Sequence, residues 1–130
     1  MTEIVWGGGA GESAFVTAAS VRSVLVELDR SAVAFPFIAE VVIENGDSLG
    51  IALGRVKSVL NFVSASKKPP YLASEGRSPA AGDGVVRFDY FGSATEFPSW
   101  QEIPMSDAMD AVCNFVATGV RPDSVAWTEV

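Results

Sequence analysis

The side chains of this sequence that could do chemistry are carboxylates. Glu96 and Glu102 share one proline-bounded stretch, and Asp89 precedes them on an alternating run. A pair of acids is the machinery of glycoside hydrolysis, in which one protonates the leaving group and the other attacks or activates water. No oxyanion or sugar-binding signature accompanies this pair, and two acids on one loop read more simply as a solvated or partner-facing surface. The 130 residues contain no histidine. That removes the commonest general base and transition-metal ligand, and with them the serine–histidine and cysteine–histidine nucleophile systems. The acids do not follow an EF-hand spacing, so no metal is expected. The glycine-rich run Gly7-Gly8-Gly9-Ala10-Gly11-Glu12-Ser13 hints at phosphate binding. A P-loop, however, needs glycine where Trp6 stands and lysine where Glu12 stands. A dinucleotide fingerprint would need its third glycine at Glu12. The run reads as a turn, and no cofactor is expected.

The elements that must position the acids follow from periodicity. Glu3 to Trp6 reads as a short edge strand. Thr17 or Ser20 opens a helix with Val21, Val24, Leu25 and Leu28 on one face. Pro36 ends that region. From Phe37 to Glu44 apolar residues alternate with Glu40 and Glu44, Asn45-Gly46-Asp47 forms a hairpin turn, and Leu49, Ile51 and Leu53 return. Gly54-Arg55 turns the chain into a third strand, Val56 to Ser64. There Leu60 and Phe62 point one way and Val59 and Val63 the other, which implies cover on both faces. The stretch from Ala65 to Gly84 has no periodicity and reads as a long functional or disordered connection. Val86, Phe88 and Tyr90 then alternate as a fourth strand. After the loop around Pro98 and Pro104, Ser106 is the expected N-cap of a second helix, whose apolar face holds Met105, Ala108, Met109, Val112, Cys113, Phe115 and Val116. Gly119 and Pro122 stop it. Val125, Trp127 and Glu129 alternate as a closing strand. The order β-α-β-β-β-β-α-β predicts an α+β fold: an antiparallel sheet of about five strands, two helices packed on one face, and the opposite face at least partly open.

Length fits one domain over residues 1–130, and a hydrophobic fraction of 48% places the chain outside the disordered range. The net charge of −7 is concentrated late: from Val85 onward there are seven acids and two bases. Such a field repels nucleic acid and favours a basic partner. Cys113 is the only cysteine, so no intramolecular disulfide forms. Its place on the apolar helix face reads as a buried small hydrophobe, and a reducing compartment is expected. With no leader-like start and no apolar run long enough to span a membrane, the expected location is cytoplasmic.

The tail carries a further signal. Glu96-Phe97-Pro98, Ile103-Pro104, Ala111, Phe115, Ala117-Thr118-Gly119, Arg121-Pro122, Trp127 and Glu129 stand in an order and spacing that resembles the first-numbered immunity-protein family of bacterial polymorphic toxin systems. The resemblance covers about the last 40 residues, and the first half of the chain carries no comparable motif. It implies a small non-enzymatic protein that binds and neutralises a cognate toxin, often a nucleic-acid deaminase such as a cytosine deaminase, by occluding its active site or substrate groove. The expected partner is then the toxin's catalytic domain with its basic groove, with no nucleic acid and no membrane.

Charge, aromatic content and expected exposure select the candidate toxin-binding residues: Tyr71, Asp89, Glu96, Phe97, Trp100 and Glu102. Phe97 has a second reading as a plug that fixes its loop, and Trp127 and Trp6 read as packing residues. Two other classes fit the same composition: an adaptor or assembly subunit with a non-toxin partner, and a small carboxylate-based enzyme with a concave pocket.

Overall fold

The computed structural model describes residues 1–7, 12–76 and 84–130. The glycine turn at 8–11 and the 77–83 part of the long connection lie outside them. The fold is α+β, with two helices and a mostly antiparallel sheet, but the sheet is larger than the expected five strands. Nine strands form one sheet in the order β11-β7-β6-β4-β3-β1-β2, with β8 and β9 attached through β3, and β5 and β10 pair separately.

The additional strands arise where hydrophobic alternation is weak. Strand β1 (Thr2–Trp6) turns back into β2 (Glu12–Val16), where only Val16 is buried, so the pattern that betrays a half-buried strand is missing. β1 is consequently not the expected edge. It lies between β2 and β3, with Ile4 fully buried. Helix α1 (Val21–Ala32) follows, with Ser20 in the N-cap position. Its buried residues Val21, Leu25, Leu28 and Ala32 recur at helical spacing. Strands β3 (Phe37–Val42) and β4 (Ser48–Leu53) pair over their whole lengths. Their turn is the expected one: Gly46 takes φ +94°, and the Asn45 side-chain oxygen accepts the Asp47 N–H at 2.8 Å.

The expected third strand is broken in two. β5 (Lys57–Ser58) leaves the main sheet to pair with β10 (Ile103–Pro104), whereas β6 (Leu60–Val63) stays beside β4. Val59, at the break, faces the side opposite Leu60 and Phe62 and is fully buried. The 65–84 connection contains β7 (Leu72–Ser74), which pairs with β6 and with the closing strand β11 (Trp127–Glu129). β8 (Val85–Tyr90) and β9 (Ser93–Pro98) form a hairpin. Residues expected as loop after Gly92 therefore pair as strand, because Thr95 and Phe97 follow the inward side of β8.

Helix α2 (Met105–Thr118) starts one residue before the expected cap, with Pro104 in the N-cap position. Strand β10 runs directly into it, and Met105 N–H donates to the Val56 carbonyl at 3.3 Å, so Ser106 falls inside the first turn. Gly119 ends the helix at φ +72° and donates to the Phe115 carbonyl, as expected. Both helices pack on one face of the sheet over Ala39, Val41, Leu49, Ile51, Leu53, Leu60 and Phe62. The other face is not simply open. At the end of β3 nearest Phe37, the β8–β9 hairpin closes a second, smaller core of Ile38, Ala52, Val59 and Phe88, flanked by Val86, Tyr90 and Phe97.

Candidate functional site

Beyond β9 the chain makes a short 3-10 turn, Ser99–Gln101, and all three of its carbonyls are held. Ser99 N–H donates to the Gly84 carbonyl at 2.8 Å, Gly76 N–H to the Trp100 carbonyl at 2.6 Å, and Glu102 N–H to the Ser99 carbonyl at 3.1 Å. The buried Ser74 hydroxyl donates to the Gln101 carbonyl at 2.7 Å and accepts Leu60 N–H at 3.0 Å. Gly76 is required by close approach: a Cβ there would stand 2.2 Å from the Glu102 carbonyl oxygen. Trp100 and Glu102 are thus fixed on a rigid turn instead of hanging on a free loop.

This turn forms one wall of a cleft of about 520 Å³. Trp100, Glu102, Glu75 and Asp107 line it together with Lys57, and the buried Ile103 and Val125 contribute apolar surface. Among the described lining residues three carboxylates therefore stand with one cation. None of the three forms an ion pair among the described residues. The Glu75 carboxylate accepts a hydrogen bond from Thr128 at 3.1 Å. Among the described residues no three side chains of metal-ligating type converge on one point. The arrangement is suited to receiving cationic or polar donor groups.

The six residues selected from sequence are not brought to one place. Trp100 and Glu102 share the cleft, although Trp100 is half-buried where exposure was expected. Asp89 lies on β8 where that strand meets β3, beside Phe35, Pro36, Arg55 and Arg87 in a second, smaller groove of about 180 Å³. Glu96 points outward from β9 and pairs with Arg87 at 3.6 Å. Phe97 faces the other way, onto the Phe88 ring at 6.3 Å between centroids, and serves as a core plug. Tyr71 sits at the end of the β7–β11 ladder away from the cleft: its carbonyl accepts Val130 N–H, and its hydroxyl donates to the Lys67 carbonyl. It lines neither concavity.

Sequence reasoning missed Glu75, Asp107 and Lys57 in the cleft, and Phe35 and Arg55 in the groove. Glu75 stands in a stretch without periodicity, and Asp107, in the first turn of α2, is accounted for by the helix dipole without any site. Phe35 had one signal, an aromatic immediately before the proline that ends a helical region. Burial pushes the Cys113 thiol up from its ordinary value, with Asp110 adding to the effect and Arg22 opposing it; this partly buried thiol is not activated.

The described residues thus present an acid-lined cleft and an apolar groove on a small α+β scaffold. Residues 9–129 match the family Immunity protein Imm1, and the chain belongs to that family. Membership gives it a toxin-immunity role, exercised through binding a cognate toxin protein. No curated protein matches the chain. Among the described residues no helix is long and apolar enough to cross a membrane.

Proposed function

We propose that the chain neutralises a toxin whose catalytic domain is a nucleic-acid deaminase, acting in the cytoplasm, and that the surface around the acid-lined cleft covers the mouth of the toxin's substrate groove. The observation that carries this reading is the convergence of Glu75, Glu102 and Asp107 on a concave site walled by Trp100, with Lys57 the one cation among its described lining residues. A groove that admits a nucleic-acid strand and a flipped base must be basic to hold phosphates. A rigid acidic concavity complements such a groove in sign, steers encounter, and gives basic side chains at its rim somewhere to go. Trp100 supplies a half-buried aromatic against which a guanidinium can stack. Asp89 and Glu96 lie on the neighbouring hairpin, where Arg87 pairs with Glu96 and Arg55 shares the Asp89 groove, so that this part of the surface offers both signs of charge.

The test is to titrate the protein into the catalytic domain encoded beside it while following complex formation and deamination together. A one-to-one complex with activity abolished at equivalence is the expected result. Glu102→Lys should slow association about tenfold and weaken its salt dependence, because it replaces a steering charge by its opposite. A complex that leaves the enzyme active would overturn the proposed occlusion, and an inhibited enzyme that does not deaminate nucleic acid would overturn the proposed target chemistry.

A further inference from the structure

Phe35 and Val56 are conspicuously bare apolar side chains: Phe35 is 67% exposed and Val56 89%. Phe35 follows the end of α1 and opens the groove it shares with Arg55, Arg87 and Asp89. Val56 stands between Arg55, which lines that groove, and Lys57, which lines the acidic cleft. The two concavities therefore adjoin across the β4–β5 turn. That turn is built, not loose. The Asp29 side chain on α1 accepts Gly54 N–H at 2.7 Å, and Gly54 has φ +102° with room for no Cβ, which would lie 2.3 Å from the Ala32 carbonyl oxygen. Arg55 is fixed in turn, its guanidinium 5.4 Å above the Phe88 ring and donating to the Arg87 carbonyl. Arg87 pairs with Glu96, whereas Arg55 has no carboxylate partner among the described residues.

We propose that Phe35 and Val56, with Arg55 between them, form the apolar centre of the toxin-binding surface and receive an apolar side chain of the toxin that is flanked by a carboxylate. The inference rests on the toxin-binding reading and adds the anchor that the acidic cleft lacks. Charge at a rim sets the rate and specificity of encounter, but affinity concentrates in a few large apolar or aromatic side chains near the middle of an interface. Lone exposed apolar residues are ordinary; Phe35, whose N–H donates to the Ala32 carbonyl, and Val56, on the turn whose Gly54 packs against the same Ala32, stand on two adjoining braced segments. Arg55 sets the sign of what lies beside the apolar side chain, since an incoming carboxylate would meet a guanidinium held in place by the Phe88 ring and the Arg87 carbonyl.

The experiment measures affinity for the neighbouring-gene catalytic domain by calorimetry, with wild-type protein, Phe35→Ser, Arg55→Glu, Glu102→Lys and Phe15→Ser as a control. Phe15 is equally exposed but lies on β2 at the far edge of the sheet. All of these side chains are at or near the surface, and circular dichroism verifies that each variant folds. Phe35→Ser is expected to weaken binding about thirtyfold or more, Arg55→Glu about tenfold, and Phe15→Ser not at all. Wild-type affinity in Phe35→Ser with a weakened Glu102→Lys would overturn the apolar centre and leave the cleft reading standing. Sedimentation that shows Phe35→Ser abolishing self-association while toxin affinity is kept would assign the patch to a second copy of the chain and likewise overturn the proposal. Failure of the wild-type protein to bind would remove both readings together.

Discussion

The two faces of the sheet are built differently. Under the helices lies a continuous core that runs from Ile4 and Val16 through Leu49, Leu60 and Phe115 to Val125. Under the β8–β9 hairpin only Ile38, Ala52, Val59 and Phe88 are buried, and the hairpin joins β3 through a single ladder pair, Phe37 with Asp89. Of the tail residues by which the chain resembles its family, Ile103, Ala111, Phe115 and Trp127 belong to the first region, whereas Glu96-Phe97-Pro98 lie on β9, with Phe97 packed on the second core. Phe115 packs edge-on against Phe62 at 6.2 Å, Phe62 against Trp127 at 6.5 Å, and the Trp127 indole N–H donates to the Pro122 carbonyl at 2.7 Å. The candidate contacts belong to the second region and to the turns at its margin. Most of what identifies the chain holds it together, and most of the candidate contacts are displayed elsewhere.

This division can be broken by removing one large side chain from each core. Phe115→Ala should lower global stability by about 3–5 kcal/mol, since a fully buried ring leaves a cavity in a continuous core. Phe88→Ala removes a ring nearly as well buried, but from a cluster that the sheet does not depend on. It should release the hairpin locally, seen as faster amide exchange from Val86 to Tyr90 and from Thr95 to Phe97, before the remainder of the sheet responds. Equal losses of unfolding midpoint with unchanged exchange in the hairpin would refute the division.

Two glycines sharpen the same contrast. At Gly76 an added Cβ would press on the Glu102 and Trp100 carbonyl oxygens at 2.2 and 2.9 Å, and backbone atoms cannot step aside as a side-chain tip can. Gly76→Ala should cost about 1–3 kcal/mol and also displace the wall that carries Trp100 and Glu102, so toxin affinity falls with stability. Gly119 has open space around its Cβ direction and only its φ of +72° to oppose a side chain. Gly119→Ala should cost about 1 kcal/mol and leave affinity unchanged. Calorimetry and thermal melts on both variants separate the outcomes.

How much of this was legible follows the same line. The α+β class, both helices, the Asn45-Gly46-Asp47 turn and the Gly119 stop were readable because each rests on local chemistry: helical periodicity, side-chain acceptance of a backbone N–H, or a required positive φ. The count of strands was not. β2 buries one residue, β5 and β10 are two residues long, and β7 sits in a stretch without alternation. Pairing of that kind is decided by neighbours brought from far along the chain, as β10 is brought to β5. The cleft failed to show for a related reason. Lys57, Glu75, Glu102 and Asp107 come from four separate segments, and nothing in their local sequence marks them as neighbours. Trp100 and Glu102, which line the cleft, stand out in the sequence because they lie between two prolines; Tyr71, beside two prolines, lies elsewhere. Phe97, just ahead of Pro98, is turned inward by the pairing of β9 with β8.

The smallest effect expected concerns the contact that ties the hairpin to the sheet. The Tyr90 hydroxyl donates a hydrogen bond to the Glu40 carboxylate on β3. Burial, and then that hydrogen bond and charge, push the phenol well above its ordinary value of 10.0. In the unfolded chain Tyr90 loses its proton near the ordinary value, whereas in the fold it retains it. The stabilisation is therefore fully present below about pH 10 and is lost as pH rises above that point toward the folded value. Thermal melts of the wild-type protein should fall more steeply above about pH 10 than those of Tyr90→Phe, which has no phenol to titrate. Glu40→Gln, which keeps an acceptor but removes the charge, should give an intermediate slope. Parallel declines in wild type and Tyr90→Phe would mean that the hairpin is held by Phe88 and its apolar neighbours alone, and that the division between the two faces is one of packing without an electrostatic latch.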